Sequence, residues 1–256
     1  MEWIDAIGQA HRPDPQARIV SLVPSVTEML CDFGLAPQLV GRTGFCVHPA
    51  EQVRAIAKVG GTKDVNLDKL RRLAPSHVVV NIDENEKPTV DQIAAMGARI
   101  VVTHPLAPRD NLALAALLGG VFCRQAEAAA WSAQFSAALA GLRPGTPRRV
   151  LYCIWKDPWM TVSRDTYIAN MLASIGWQVP TLGTARYPAF DWTPQLLAEL
   201  DLILLSSEPY RFTEADATAL AAELGKPVWL VDGEMLSWYG TRALAGLHYL
   251  QALAAR

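Results

Sequence analysis

Residues 18–34 read Arg18-Ile19-Val20-Ser21-Leu22-Val23-Pro24-Ser25-Val26-Thr27-Glu28-Met29-Leu30-Cys31-Asp32-Phe33-Gly34. The stretch from Arg18 to Val23 is short and almost continuously apolar, as a parallel strand covered on both faces requires. Pro24 stops it. Ser25 to Phe33 then opens with Ser-Val-Thr-Glu, the spacing of a capping box, so a helix is predicted from Ser25, with Gly34 placed to close it.

The same order recurs along the chain. A short strand is predicted at Leu39–Gly41, another at His77–Asn81 after the Pro75-Ser76 break, and a fourth at Arg99–Thr103 after Gly97. After the Pro144-Gly145-Thr146-Pro147 break the plan restarts with Arg149–Ile154, Leu202–Ser206 and Pro227–Val231. Ile19 to Val78 spans 59 positions and Val150 to Leu202 spans 52, a comparable spacing in the two halves. Strands alternating with helices in each half predict an α/β protein of two lobes. The expected boundaries are 17–108 for the first lobe, 109–143 for a helical segment and 147–256 for the second lobe. Residues 121–141 are rich in Ala and Leu and predict one long helix, with Phe122, Ala126, Ala129, Ala133 and Ala137 or Phe135 along its apolar face. If it bridges the lobes, such a helix restricts hinge closure, whereas a Gly/Ser-rich linker would permit it.

Of the 256 residues, 51% are hydrophobic and 19% charged, with a formal net charge of -2. That is enough for a sizeable core, and the absence of a basic stripe argues against nucleic acid. No apolar run approaches the roughly 20 residues of a membrane span. Met1-Glu2-Trp3-Ile4-Asp5 has neither the basic start nor the apolar stretch of a secretory signal, which points to the cytoplasm unless a leader has been trimmed. Cys31, Cys46, Cys123 and Cys153 show no metal-like spacing and read as buried free thiols.

Three stretches together resemble the substrate-binding proteins of the cobalamin and ferric-siderophore uptake branch: Arg18–Leu30, Val59–Leu70 with Leu73–Val80, and Leu200–Phe212. The likeness runs in order over about residues 17–255. It implies two Rossmann-like lobes joined by one long α-helix, with the ligand cleft between lobes and a bulky metal chelate in it, cobalamin before ferric siderophore or heme. It further implies a monomer in the periplasm that needs no cofactor of its own and delivers its cargo to an ABC permease. One acidic residue per lobe would meet the permease: Glu208 in the second, Asp64 (or Asp68) in the first.

In open α/β sheets ligands bind beyond the carboxyl ends of the strands. That rule selects Ser25 at a helix start, where backbone amides can receive an anion. It also selects Phe45 and His48 in the loop after Leu39–Gly41, and Glu84 and Asn85 after His77–Asn81. His48 could ligate a chelated metal, or simply hydrogen-bond ahead of Pro49; His104, before Pro105, reads the same way with less weight. Trp155, Trp238 and Tyr239 offer flat faces for a ring ligand, as Trp159 and Trp192 do more weakly. Arg242 and Arg186, the latter beside Tyr187, could clamp a carboxylate or phosphate.

No GxSxG, P-loop, HExxH or strand-borne GxGxxG occurs, so a binding protein is expected rather than an enzyme. A cytoplasmic sensor or chaperone, or a metal-dependent enzyme using His48 with Glu84, are the alternatives.

Overall fold

The computed structural model describes residues 2–256. They form two compact α/β units. Unit 1 holds the residues up to Pro105, Arg109–Ser136 and Tyr239–Arg242; unit 2 holds Leu106–Pro108, Ala137–Trp238 and Ala243–Arg256.

Unit 1 opens with a small hairpin, β1 (Trp3–Ile4) and β2 (Ala10–His11), followed by β3 (Ile19–Ser21), α1 (Pro24–Asp32), β4 (Leu39–Arg42), α2 (Ala50–Val53), β5 (Ala57–Lys58), α3 (Leu67–Leu73), β6 (His77–Asn81), α4 (Lys87–Ala95), β7 (Arg99–Thr103) and α5 (Asp110–Val121). Its sheet is parallel, in the order β5-β4-β3-β6-β7. The apolar strands expected from the sequence lie where it is most buried. Val20, Val78 and Val80 pack with Leu70, Ile93 and Ile100 into one core.

Helix α1 begins one residue earlier than the capping-box reading placed it. Pro24 occupies the first turn, where its fixed φ suits a helix and its missing N–H costs nothing. Val23 is therefore the N-cap, no side chain caps the helix, and Ser25 lies inside the first turn. The closing end agrees with the reading: Phe33 is the C-cap and Gly34 follows at φ +75°.

The helix predicted over 121–141 starts four residues later than expected. Helix α5 ends at Val121, Cys123 takes φ +56°, and α6 runs Gln125–Gly141. Its buried positions are Ala128, Trp131 and Phe135, spaced i, i+3, i+7, and Ala126, Ala129, Ala133 and Ala137 are exposed. The two large rings outweighed the alanines in choosing the face. The division between the units falls inside α6, after Ser136.

Unit 2 comprises β8 (Arg148–Trp155), β9 (Met160–Thr161), α7 (Tyr167–Ala173), β10 (Trp177–Gln178), α8 (Pro194–Glu199), β11 (Leu202–Ser206), α9 (Glu214–Leu224), β12 (Val228–Val231), α10 (Gly233–Ser237) and α11 (Ala243–Ala254). The parallel order is β10-β8-β11-β12, with β9 antiparallel to β8. Leu151, Cys153, Ile203 and Leu205 form the centre of its core, under Leu196, Phe212 and Leu220. Two such parallel sheets make the Rossmann-like, two-lobed α/β fold expected from the sequence.

Residues 2–12 are built into unit 1. The buried Asp5 carboxylate accepts hydrogen bonds from the amides of Ile7, Gln9 and Val102 and lies 3.1 Å from His11 Nε2. Ala6 N–H donates to Val102 O, so the hairpin is pinned to β7, the edge strand.

Candidate functional site

Each sheet reverses its strand order once. In unit 1, α1 leads from β3 to β4 on one side, and β6 lies on the other; in unit 2, β10 and β11 flank β8 in the same way. Such a switch point leaves a crevice beyond the strand ends, and ligands of open α/β sheets bind there.

In unit 1 that end carries an apolar surface. Phe45 is 63% exposed, Val47 48% and Ile82 47%. Thr43 and Cys46 hold the Phe45 loop from below: Cys46 Sγ lies 3.0 Å from Thr27 Oγ1 and 3.1 Å from Thr43 Oγ1. Burial raises the Cys46 thiol above its ordinary range, partly offset by those hydrogen bonds, which keeps it in the protonated form that packs here. Cys31 is pushed up to about 12, also chiefly by burial. All four cysteines are free; Cys31, Cys46 and Cys153 are buried and Cys123 is half-buried.

Several residues expected to meet ligand also make contacts within the protein. Asn85 is buried. Its Nδ2 donates to Leu22 O (3.3 Å) and Thr62 O (2.9 Å), and its Oδ1 accepts from Asn81 N, so it ties the loops after β3, β5 and β6 together. Ser25 is buried. Glu84 accepts the hydroxyl of buried Tyr239, whose own acidity is suppressed by burial and then by the Glu84 charge. Arg242 donates twice to Glu28, Nε to Oε2 and Nη2 to Oε1, both at 2.7 Å. Gly240 N donates to Asn111 Oδ1 and Thr241 to Asp32, so all four residues 239–242 are tied into unit 1. His48 is half-buried in the Phe45 loop, and Asp64 is exposed in the turn where Gly61 N meets Asp64 O. His104 Nε2 faces Asp83 at 3.4 Å.

Unit 2 presents Trp155, 40% exposed at the end of β8, and Tyr187, 37% exposed beside β9. Trp155 meets Tyr210 edge-on at 5.5 Å and begins an aromatic cluster. Tyr210 touches Phe212, which stacks on Trp159 at 5.7 Å, and Trp159 meets Trp192 and Phe190. The exposed indole is thus backed by packed rings that hold its orientation. Arg186 stands 3.6 Å from Asp165. Trp238, expected on the ligand, is buried, and its Nε1 donates to Glu208 Oε1 at 2.7 Å. Ser237 donates to the same oxygen at 2.9 Å. Burial holds the Glu208 carboxyl above the usual carboxylate range, against those two hydrogen bonds, which lower it.

Among the described residues, seven large apolar side chains are left exposed: Ile4 and Ile7 on the N-terminal hairpin, and the five just named. Of these five, Val47 and Ile82 are not among the residues singled out from the sequence. An isolated apolar residue directly after a buried strand, as in Asn81-Ile82-Asp83, is the signal that would have found Ile82. Among the described residues no group of three or more His, Cys, Asp or Glu is placed to hold a metal ion, and no helix is long and apolar enough to cross a membrane.

Two parallel α/β units with apolar surfaces at their strand ends define a substrate-binding protein of the two-lobed kind. The chain belongs to the periplasmic binding protein family, which matches residues 19–183. A vitamin B12-binding protein of Photorhabdus laumondii is 28% identical over 88 residues, 34% of this chain and 32% of that protein; the match spans about a third of the relative. Among solved structures, the periplasmic vitamin B12 binding protein BtuF of Vibrio cholerae covers 95% of this chain and 100% of its own, at 18% identity and a TM-score of 0.75. The periplasmic heme binding protein HutB of Vibrio cholerae covers 94% and 100%, at 19% identity and a TM-score of 0.78. These two likenesses concern the fold.

Proposed function

We propose that this chain binds a bulky metal chelate, a cobalamin or related corrinoid first, and hands it to an ABC permease. The observation that carries the reading is the exposure of Phe45, Val47, Ile82, Trp155 and Tyr187 at strand ends and loops of the two units. Exposed apolar surface of that kind marks a binding surface, and flat rings suit a large planar ligand. The sequence relatives named for vitamin B12 support the corrinoid. Heme or a ferric siderophore is the second reading. His48, half-buried in the Phe45 loop, favours it, since an imidazole ligates an iron that its chelate leaves open.

Titration with cyanocobalamin, hemin and a ferric siderophore, followed in the visible spectrum, separates these ligands. A saturable one-to-one shift with cyanocobalamin is expected; saturation by hemin alone, lost in His48→Ala, selects the second reading. Sustained product formation from any of them overturns a pure binding role. For delivery, Asp64→Ala and Glu208→Gln are expected to lower uptake while leaving affinity intact, the glutamine keeping an acceptor for Trp238 and Ser237. Unchanged uptake in both variants rejects these permease contacts.

A further inference from the structure

Unit 2 contains a cleft of about 300 Å³ at the far end of β8 from Trp155. Arg149, on its rim, and Trp155 are six positions apart on this extended strand, about 20 Å at the rise of a β-strand. The cleft is walled by Gln178 of β10, the stretch that follows it, and α8. Its floor is the buried apolar set Val179, Leu196 and Leu200. Its rim is cationic. Arg149 Nη1 pairs with Glu199 Oε2 at 3.2 Å, which neutralises the one carboxylate there. Arg164 donates Nε to Val179 O at 3.1 Å, which fixes the plane of the guanidinium. Its terminal amino groups have no protein acceptor among the described residues.

We propose that this cleft is a second binding site, for a short-chain aliphatic monocarboxylate. A planar guanidinium already held by one nitrogen presents its remaining donors to a carboxylate with little loss of freedom. The buried floor takes the alkyl chain. With Arg149 and Glu199 paired, Arg164 is, among the described residues, the one uncompensated charge on the rim and matches a monoanion, and the volume is at the small end of ligand pockets, which limits the chain length. The site is separate from the chelate surface and stands whether or not the chelate reading does.

The test is an amide and arginine side-chain NMR titration of the intact protein with hexanoate, hexan-1-ol and hexylamine. Saturable hexanoate binding with a Kd on the order of 1 mM is expected for a ligand of this size. The shifted signals should be those of residues 178–182 and 193–200 and the Arg164 Nε–H. Hexan-1-ol should bind about tenfold more weakly and hexylamine not at all, and Arg164→Gln should weaken hexanoate about tenfold without affecting hexan-1-ol. No saturation by about 20 mM hexanoate, equal binding of hexan-1-ol, or shifts centred on Phe45 or Trp155 overturns the proposal. Should Arg164→Gln fail to fold, the contrast between hexanoate and hexan-1-ol on the parent protein decides alone.

Discussion

Arg242 and Glu28 form a two-pronged ion pair in unit 1, at 2.7 Å on both prongs and only 14% exposed on either side. Arg242, which by sequence could clamp a carboxylate or phosphate, is here paired with Glu28 of α1. Removing one partner of a largely buried pair leaves the other charge stranded, so Arg242→Ala is expected to cost about 3 kcal/mol. Urea unfolding measures it. Adding Glu28→Gln should recover part of the loss, and chelate affinity of the folded variant should be unchanged. A large loss of affinity at full stability would return Arg242 to the ligand.

Trp155 has the opposite character, a ring exposed to solvent and held from behind by Tyr210. Trp155→Ala should leave stability nearly untouched and weaken chelate binding by about 1 kcal/mol, about fivefold in Kd. Isothermal titration of both proteins gives the comparison, and equal Kd values exclude Trp155 from the surface.

His77 makes unit 1 sensitive to acid. Burial, and next the charge of Arg99, lower its pKa from 6.5 to about 4. The unfolded chain therefore takes up this proton first as the pH falls. The contribution is complete above pH 6.5, shrinks between 6.5 and about 4, and is absent below. It amounts to at most about 3 kcal/mol. The urea midpoint should fall less between neutral pH and about pH 4.5 in His77→Gln than in the parent protein. Parallel falls would assign the acid sensitivity to other groups.

Gly120 is a glycine because Trp3 lies on it. A Cβ there would stand 1.9 Å from Trp3 Cε2, within helix α5 where the backbone has no room to yield. Gly120→Ala should displace the N-terminal hairpin at a cost of about 1–3 kcal/mol. Hydrogen exchange at Ala6, whose amide is bonded to Val102, should accelerate. Trp3→Ala in the same chain should relieve the clash, and failure to do so would refute the contact.

The strands were legible because parallel strands buried on both faces must be apolar throughout, as Val78-Val79-Val80 and Leu202–Leu205 are. Helix ends were less so. Ser25-Val26-Thr27-Glu28 has the spacing of a capping box, but Pro24 started the helix first and Glu28 went to Arg242. The true box is Thr213 with Asp216, at the head of α9. For the site, loop position could be read from strand ends, but exposure could not. Trp155 and Trp238 both sit where the chain leaves regular structure, and only the hydrogen bond from Trp238 to Glu208 separates an inward ring from an outward one. Pairings between residues as distant in sequence as Glu84 and Tyr239 leave no local pattern.

The aromatic cluster behind Trp155 also makes the protein an uneven optical instrument. Trp155, Trp159, Trp177, Trp192, Trp229 and Trp238 belong to unit 2, leaving only Trp3 and Trp131 in unit 1. Indoles as close as Trp159 and Trp192, 5.3 Å apart and steeply inclined, share excitation. Intrinsic emission and near-ultraviolet dichroism will therefore speak chiefly for unit 2, and a ligand seated on Phe45 alone will go almost unseen. Phe45→Trp, at a side chain 63% exposed, gives unit 1 a reporter of its own.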